Sequence, residues 1–261
     1  MALKKKNQGK APDSPLRVSK SKSRKYILND STKFIITEAY KSARTNLMFS
    51  LSTSKNKVIT FTSSSPAEGK STTCINMAIT LATTGSRVLL IDSDMRKPTM
   101  HSLLRVEKSR GLSSILSGMC TVAEAINSNV RENLDVIVAG PLPPNPAELI
   151  GSPNMAELID VLKKHYDYIL IDTPPVNVVS DSQLYNQHVA GIVFVIRDDV
   201  TTHNDLQRAL KNIKMANGKV LGFIKTACKT TGGSSTYKKS YYNYDYAYGN
   251  NQKVNTTNTA K

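Results

Sequence analysis

Short apolar runs rich in β-branched residues recur along the chain and alternate with stretches where apolar side chains return every three or four positions. The runs are KVITFT (57–62), RVLLID (87–92), LDVIVA (134–139), DYILID (167–172), GIVFVIR (191–197) and KVLGFIK (219–225), and each predicts a strand. Helical spacing predicts helices over 70–84, 153–165 and 202–216. Ahead of the first strand, Phe34, Ile35, Ala39, Ala43, Leu47 and Leu51 fall at helical intervals and predict one amphipathic helix over 34–51. Strands that read as continuous apolar runs are covered on both faces, and the helices between them make the sheet parallel. The expected fold class is α/β: a doubly wound, mostly parallel sheet with helices on both faces, taking its ligands beyond the carboxyl ends of the strands. No repeat of solenoid period interrupts this alternation.

The 261 residues suffice for one sizeable core. No stretch approaches the ~18 unbroken apolar residues of a membrane span. The Lys-rich N-terminus lacks the apolar run and cleavage site of a secretory signal, so the expected compartment is the cytoplasm. A net charge of +15 would suggest nucleic acid or an anionic surface if it were evenly spread, but residues 1–33 carry +8, residues 225–261 carry +5, and residues 34–224 only +2. The expected organisation is a basic, flexible segment 1–33, a globular domain 34–228, and a flexible tail 229–261. No nucleic-acid partner is expected, because only the ends are basic; such ends serve solubility or a membrane surface. Cys74, Cys120 and Cys228 fit neither a disulfide framework nor a zinc pattern and are read as reduced packing residues.

The chemistry begins after the first strand. Ser63-Ser64-Ser65-Pro66-Ala67-Glu68-Gly69-Lys70-Ser71-Thr72 leads from strand to helix through a Gly-Lys-Ser turn, a P-loop arrangement. There the loop Pro66, Ala67, Glu68, Gly69, Lys70, Ser71 and Thr72 turns its available backbone N–H groups and those of the helix start to phosphate oxygens, Lys70 adds a positive charge from a solvent-facing loop, and the Ser71 hydroxyl can ligate Mg²⁺. Ser64 stands where the usual pattern has its first glycine. Two further strands end in aspartates: Val88-Leu89-Leu90-Ile91-Asp92-Ser93-Asp94-Met95-Arg96, whose alternation sends Asp92 and Asp94 the same way, and Ile169-Leu170-Ile171-Asp172-Thr173-Pro174-Pro175. An aspartate after one strand is commonly a turn or cap residue. Three of them converging with a phosphate loop sit where a nucleotide's magnesium would be held.

With these motifs the chain resembles the bacterial tyrosine kinases (BY-kinases) of capsule and exopolysaccharide export, over residues 30–250. The resemblance rests on SSSPAEGKST, on LLIDSDMR as a D-x-D-x-R motif, on ILIDTPP, on EAYKSARTNLMF before the first strand, and on a C-terminal tyrosine cluster. It implies a kinase that uses ATP and Mg²⁺: Lys70 holding the phosphates, Ser71 and Asp94 ligating the metal, Asp172 positioning the metal or its water, and Asp92 accepting the tyrosine proton. Arg96 stands close by, either to stabilise transferred charge or to pair with a carboxylate. Two departures are visible: Ala67 replaces a frequent glycine, and the family's E-x-x-R-x-x-R subunit-contact motif reads Glu38, Lys41 and Arg44, without the second planar fork.

Tyr237, Tyr241, Tyr242, Tyr244, Tyr246 and Tyr248 crowd into twelve residues. They read either as an adhesive aromatic tail or as phosphoacceptors whose modification adds about −1.5 to −2 charges each. By resemblance to the two-polypeptide members, the partners are a transmembrane adaptor that activates the kinase, further copies of the chain in a ring, a cognate tyrosine phosphatase, and polysaccharide-assembly enzymes as substrates, which places the protein at the inner face of the membrane through its adaptor. Two alternatives stay open: a partitioning or septum-positioning ATPase of the same broad fold, whose signature lysine would occupy the position of Ser65, and a nucleotide-binding export regulator without catalysis.

Overall fold

Seven strands form one sheet in the computed structural model, which describes residues 24–228. They are β1 (Val58–Ser63), β2 (Val88–Asp92), β3 (Ile126–Arg131), β4 (Leu134–Ile137), β5 (Tyr168–Asp172), β6 (Gly191–Arg197) and β7 (Val220–Thr226). Their order is β3-β4-β2-β5-β1-β6-β7, and β3 alone runs antiparallel to its neighbour. The helices are α1 (Phe34–Ser50), α2 (Lys70–Ala82), α3 (Met100–Leu104), α4 (Leu112–Leu116), α5 (Val122–Ala125), α6 (Pro146–Ile150), α7 (Pro153–Leu162) and α8 (His203–Met215). The fold is α/β and doubly wound, as the alternating runs require.

Both faces of the sheet are covered, so each strand feeds two cores by alternation. Val88 and Leu90 of β2 join Ile59, Phe61 and Leu170 under Ile75 and Met77 of α2. Leu89 and Ile91 turn the other way, onto Ile169, Ile171 and the Leu158 and Ile159 of α7. Each such aliphatic side chain contributes about 1.5–3 kcal/mol on burial, which fixes strand register because a one-residue slip would exchange the faces. The helix α2 is the central one: from Thr73 to Ala82 every residue is buried between the sheet and α1.

Two expectations change. Residues 24–33 do not belong with a detached basic segment: Ile27 and Leu28 are buried, and the Asn76 side chain of α2 accepts from the Leu28 N–H and donates to the Tyr26 carbonyl, both at 2.9 Å. Two aliphatics behind a run of charges are too few to register as a pattern. The α1 helix is present, but its first turn does not face the core: Phe34, Ile35 and Ile36 are exposed, and only Leu47 and Leu51 at its other end are fully buried. Among the described residues no helix is long and apolar enough to cross a membrane. Cys74 is buried, Cys120 half-buried and Cys228 exposed, all free, so only the first is a core residue. The tail tyrosines Tyr237, Tyr241, Tyr242, Tyr244, Tyr246 and Tyr248 lie outside the described residues.

Candidate active site

The loop between β1 and α2 is shaped by two left-handed residues, Ala67 (φ 66°) and Gly69 (φ 89°). Ser64, in the first glycine's place, needs no such freedom; its hydroxyl donates to the Glu68 carboxylate at 2.7 Å. Ala67 carries a Cβ in a conformation that disfavours one. Replacing Ala67 by Gly should therefore raise stability by about 0.5–1 kcal/mol, the relieved strain exceeding the added freedom of the unfolded chain. A thermal melt reads this, and a lowered midpoint would contradict the left-handed turn.

Glu68 is a residue whose importance the motif did not reveal. Its buried carboxylate accepts from Ser64, from the Ser65 N–H at 3.1 Å, and from Thr201 at 2.6 Å beyond β6. Its carbonyl accepts from the Thr226 hydroxyl at 2.8 Å at the end of β7, and Arg197 of β6 donates to the Ala67 carbonyl at 2.8 Å. Two strands, β6 and β7, and the turn beyond β6 thus clamp the loop. The sole local hint was a glutamate inside a phosphate loop, since its partners lie far off in sequence.

At the mouth of the loop Lys70 is only 7% exposed. Its Nζ donates to Asp172 Oδ1 at 2.6 Å and lies 4.0 Å from Asp94 Oδ2 and 3.3 Å from the Ser71 hydroxyl. This corrects the solvent-facing placement expected of Lys70. Burial pulls its ammonium down, but the Asp172 and Asp94 carboxylates outweigh burial and the net direction is up.

The three carboxylates differ in environment. Asp92 and Asp172 are direct partners in the parallel register of β2 and β5, and neither is exposed. Burial, then the neighbouring Asp172 charge, pushes Asp92 up to about 7. Asp92 Oδ1 accepts from the Asp94 N–H (3.2 Å) and Oδ2 from the Thr99 (3.2 Å) and Met100 (3.0 Å) N–H groups, which leaves one lone-pair site on Oδ1. Burial also raises Asp172, opposed by Lys70. Asp172 Oδ2 is buried with no hydrogen-bond partner among the described residues. Asp94 is the one that faces outward, at 9% exposure, its Oδ1 accepting from the Lys97 N–H. The site contains an orphaned Asp172 oxygen, the Ser71 hydroxyl and the Asp94 carboxylate, the least buried of the three acids, all hard donors around Lys70. No three His, Cys, Asp or Glu side chains among the described residues form a complete metal cluster.

Arg96 is engaged elsewhere: its Nε and Nη2 grip Asp181 at 2.9 and 3.3 Å, a buried carboxylate after β5 that sequence reading did not single out. Of its two uses, carboxylate pairing is the one the geometry displays. On α1, Lys41 pairs with Glu38 at 2.7 Å within the helix, and Arg44 Nη1 donates to the Thr80 carbonyl of α2 at 3.0 Å. Arg44 therefore spends one donor on its own domain.

The AAA-domain profile matches residues 56–220. Over 218 residues the chain is 38% identical to CapB of Staphylococcus aureus, covering 84% of this chain and 95% of that one. Over 221 residues it is 36% identical to the tyrosine-protein kinase YwqD of Bacillus subtilis, covering 85% and 91%. Among solved structures, the chimerical protein CapA2B2 superposes with a TM-score of 0.73 at 36% identity, over 77% of this chain and 88% of that chain.

Proposed function

The chain belongs to the bacterial tyrosine kinases and carries their AAA domain, and on that premise we propose that it transfers the γ-phosphoryl group of ATP to protein tyrosines, first those of its own 229–261 segment, in capsule or exopolysaccharide assembly. The observation that carries the reading is the buried Lys70 held between Asp172 and Asp94 at the end of a phosphate loop, beside an unpartnered Asp172 oxygen.

The residues have separable tasks. The N–H groups from Ala67 to Thr72 in the loop that Pro66 opens and the Lys70 ammonium bind the phosphates, Lys70 having donors to spare beyond its bond to Asp172. The oxygens of Ser71, Asp94 and Asp172 fit magnesium, which is normally held by one or two carboxylates with phosphate and water completing the shell. When bound it supplies neutralisation of phosphate charge. Asp92 is the proposed proton acceptor: a carboxyl raised to about 7 matches the working range of a base, and its free lone pair is on Oδ1. As the acceptor oxygen bonds to the γ-phosphorus, the bond to the bridging oxygen breaks, ADP leaves, and the tyrosine proton passes to Asp92. Arg96 holds the turn after β2 against Asp181, keeping Asp94 in place.

Incubation with ATP labelled in the γ-phosphate and magnesium, followed by phosphoamino-acid analysis, tests this. Phosphotyrosine is expected. Free phosphate without labelled protein would instead support a partitioning-type ATPase, and neither product a regulator.

A transmembrane adaptor, a ring of copies contacting through Glu38, Lys41 and Arg44, a tyrosine phosphatase and polysaccharide enzymes as substrates complete the proposal. Stimulation by the adaptor's cytoplasmic end is expected. Transfer between copies has a direct readout: an inactive full-length Lys70→Met/Asp172→Asn chain mixed with an active chain truncated after Thr236 should gain phosphotyrosine. An unlabelled inactive chain would rule that step out.

A further inference from the structure

On the side of the molecule away from the phosphate loop, a cavity of roughly 310 Å³ is lined by Arg24, Arg105 and Arg131 over an apolar floor of Ile27, Leu104 and Val130. Its position follows from register. Arg131 ends β3 at the hairpin into β4, and Leu134, the first residue of β4, pairs with Val88, the first residue of β2. The hairpin is therefore at the amino end of the parallel strands, opposite Asp92 and Asp172.

Three guanidinium groups and, among the described residues, no carboxylate line this cavity. Arg24 is fixed by a 2.7 Å bond from Nε to the Ser102 carbonyl, which leaves its two terminal nitrogens without a hydrogen bond among the described residues. Arg105 closes α3 in the left-handed conformation (φ 59°), a position that glycine or asparagine fills with less strain. Neither Arg105 nor Arg131 has an ion pair among the described residues, whereas Arg87, Arg96, Arg110 and Arg208 each do. Like charges gathered without a counter-charge repel one another, and a dianion relieves that repulsion. Guanidinium forks match phosphate oxygens, and an aliphatic floor beneath them matches an aromatic ring.

We propose that this cavity binds phosphotyrosine, its ligand being the phosphorylated 243–247 segment of this chain. That segment, Asn243-Tyr244-Asp245-Tyr246-Ala247, contains the one acidic residue of 229–261, so a phosphate on Tyr244 next to Asp245 presents two anionic groups to three arginines. Around Tyr237 the adjacent Lys238 and Lys239 oppose such docking. From Thr226 to Tyr244 eighteen residues span up to ~60 Å, enough to reach the far side of one molecule or a neighbour. The kinase would then retain its own product, and a captured tail is withdrawn from the phosphate loop. The proposal rests on the kinase reading, which supplies the modification.

Synthetic 236–250 peptides with and without phosphate on Tyr244 separate the two. Binding to the full chain is measured by fluorescence anisotropy, with excess ADP and magnesium filling the phosphate loop. The phosphopeptide should bind at least about tenfold more tightly than the unmodified one, and Arg105→Ala/Arg131→Ala should lose at least about tenfold of that affinity with an unchanged melting midpoint. Arg105→Lys/Arg131→Lys keeps the charge and should recover only part of it. Phosphopeptide affinity indifferent to both pairs overturns the proposal. So does a result in which phosphatidylglycerol vesicles depend on these arginines and the phosphopeptide does not bind, because the cavity then serves a lipid surface. Phosphotyrosine production by the Arg→Ala variant does not fall below the wild-type level, because release of the tail returns it to the phosphate loop, so failure of the kinase reading shows in that assay alone.

Discussion

Replacing Lys70 by Met should abolish tyrosine phosphorylation, by on the order of 10³-fold or more, because the ammonium held between the acidic strand ends at the phosphate loop is lost. It should also destabilise the ligand-free protein, by roughly 3 kcal/mol at neutral pH, since Lys70 is the partner of an Asp172 that has no exposure of its own. The sign with pH is determined. Without Lys70 the Asp172 carboxyl moves further up, so the deficit is present where the unfolded chain would ionise it and shrinks on acidification, as the carboxyl becomes protonated in both states. Chemical denaturation at pH 8 and pH 5 reads both arms. The Lys70→Met/Asp172→Asn chain should recover most of the stability and none of the activity, because the buried charge leaves with its partner. A Lys70→Met protein as stable as the wild type at pH 8 would mean that the Lys70–Asp172 pair is open to water. Equal phosphotyrosine output would remove Lys70 from the chemistry.

The second large effect belongs to Asp92. A carboxyl raised from 3.8 to about 7 on folding makes the folded state the better proton binder. Its contribution is therefore fully present below pH ~4 and is lost as pH rises through about 7, a change of up to ~4 kcal/mol for one group by linkage. The ligand-free wild type should be more stable at pH 5 than at pH 8. Asp92→Asn should flatten that slope, since it removes the charge facing Asp172. Its amide cannot accept from the Asp94 N–H on one side while accepting from Thr99 and Met100 on the other, so a loss of about 1–3 kcal/mol at pH 5 accompanies the flattening. Phosphoryl transfer should fall more than nucleotide affinity. A slope unchanged by the substitution would assign the pH dependence to Asp172 or another group.

The six parallel strands were legible as apolar runs, most plainly where burial on both faces leaves VLLID and YILID no polar position before the closing aspartate. The edge strand β3 was not: INSNVR bonds to β4 alone and offers only Ile126 and Val130 to the interior, so alternation is lost. Helices of four or five residues, such as α3, α4 and α6, are shorter than the period that would disclose them. The α5 helix did carry a signal, the Thr121 and Glu124 capping box, which spacing of apolar residues does not weigh. In the site, Lys70, Asp92, Asp94 and Asp172 could be placed because each opens a helix, ends a strand or, for Asp94, stands two residues past a strand end. Glu68 with Thr201, and Arg96 with Asp181, could not, because 133 and 85 residues separate the partners. Burial of Lys70 is likewise a property of packing, and no local pattern announces it.

The bond from the Thr226 hydroxyl to the Glu68 carbonyl has a mechanical side. Thr226 is the last residue of β7, and everything from there to Lys261 hangs from it, while Glu68 is the residue before the loop's left-handed glycine. Load on the chain after Thr226 is therefore shared between the sheet, where the Asp198 N–H donates to the Thr226 carbonyl at 3.0 Å, and the phosphate loop. One hydroxyl thereby joins the root of the C-terminal segment to the loop that faces phosphate.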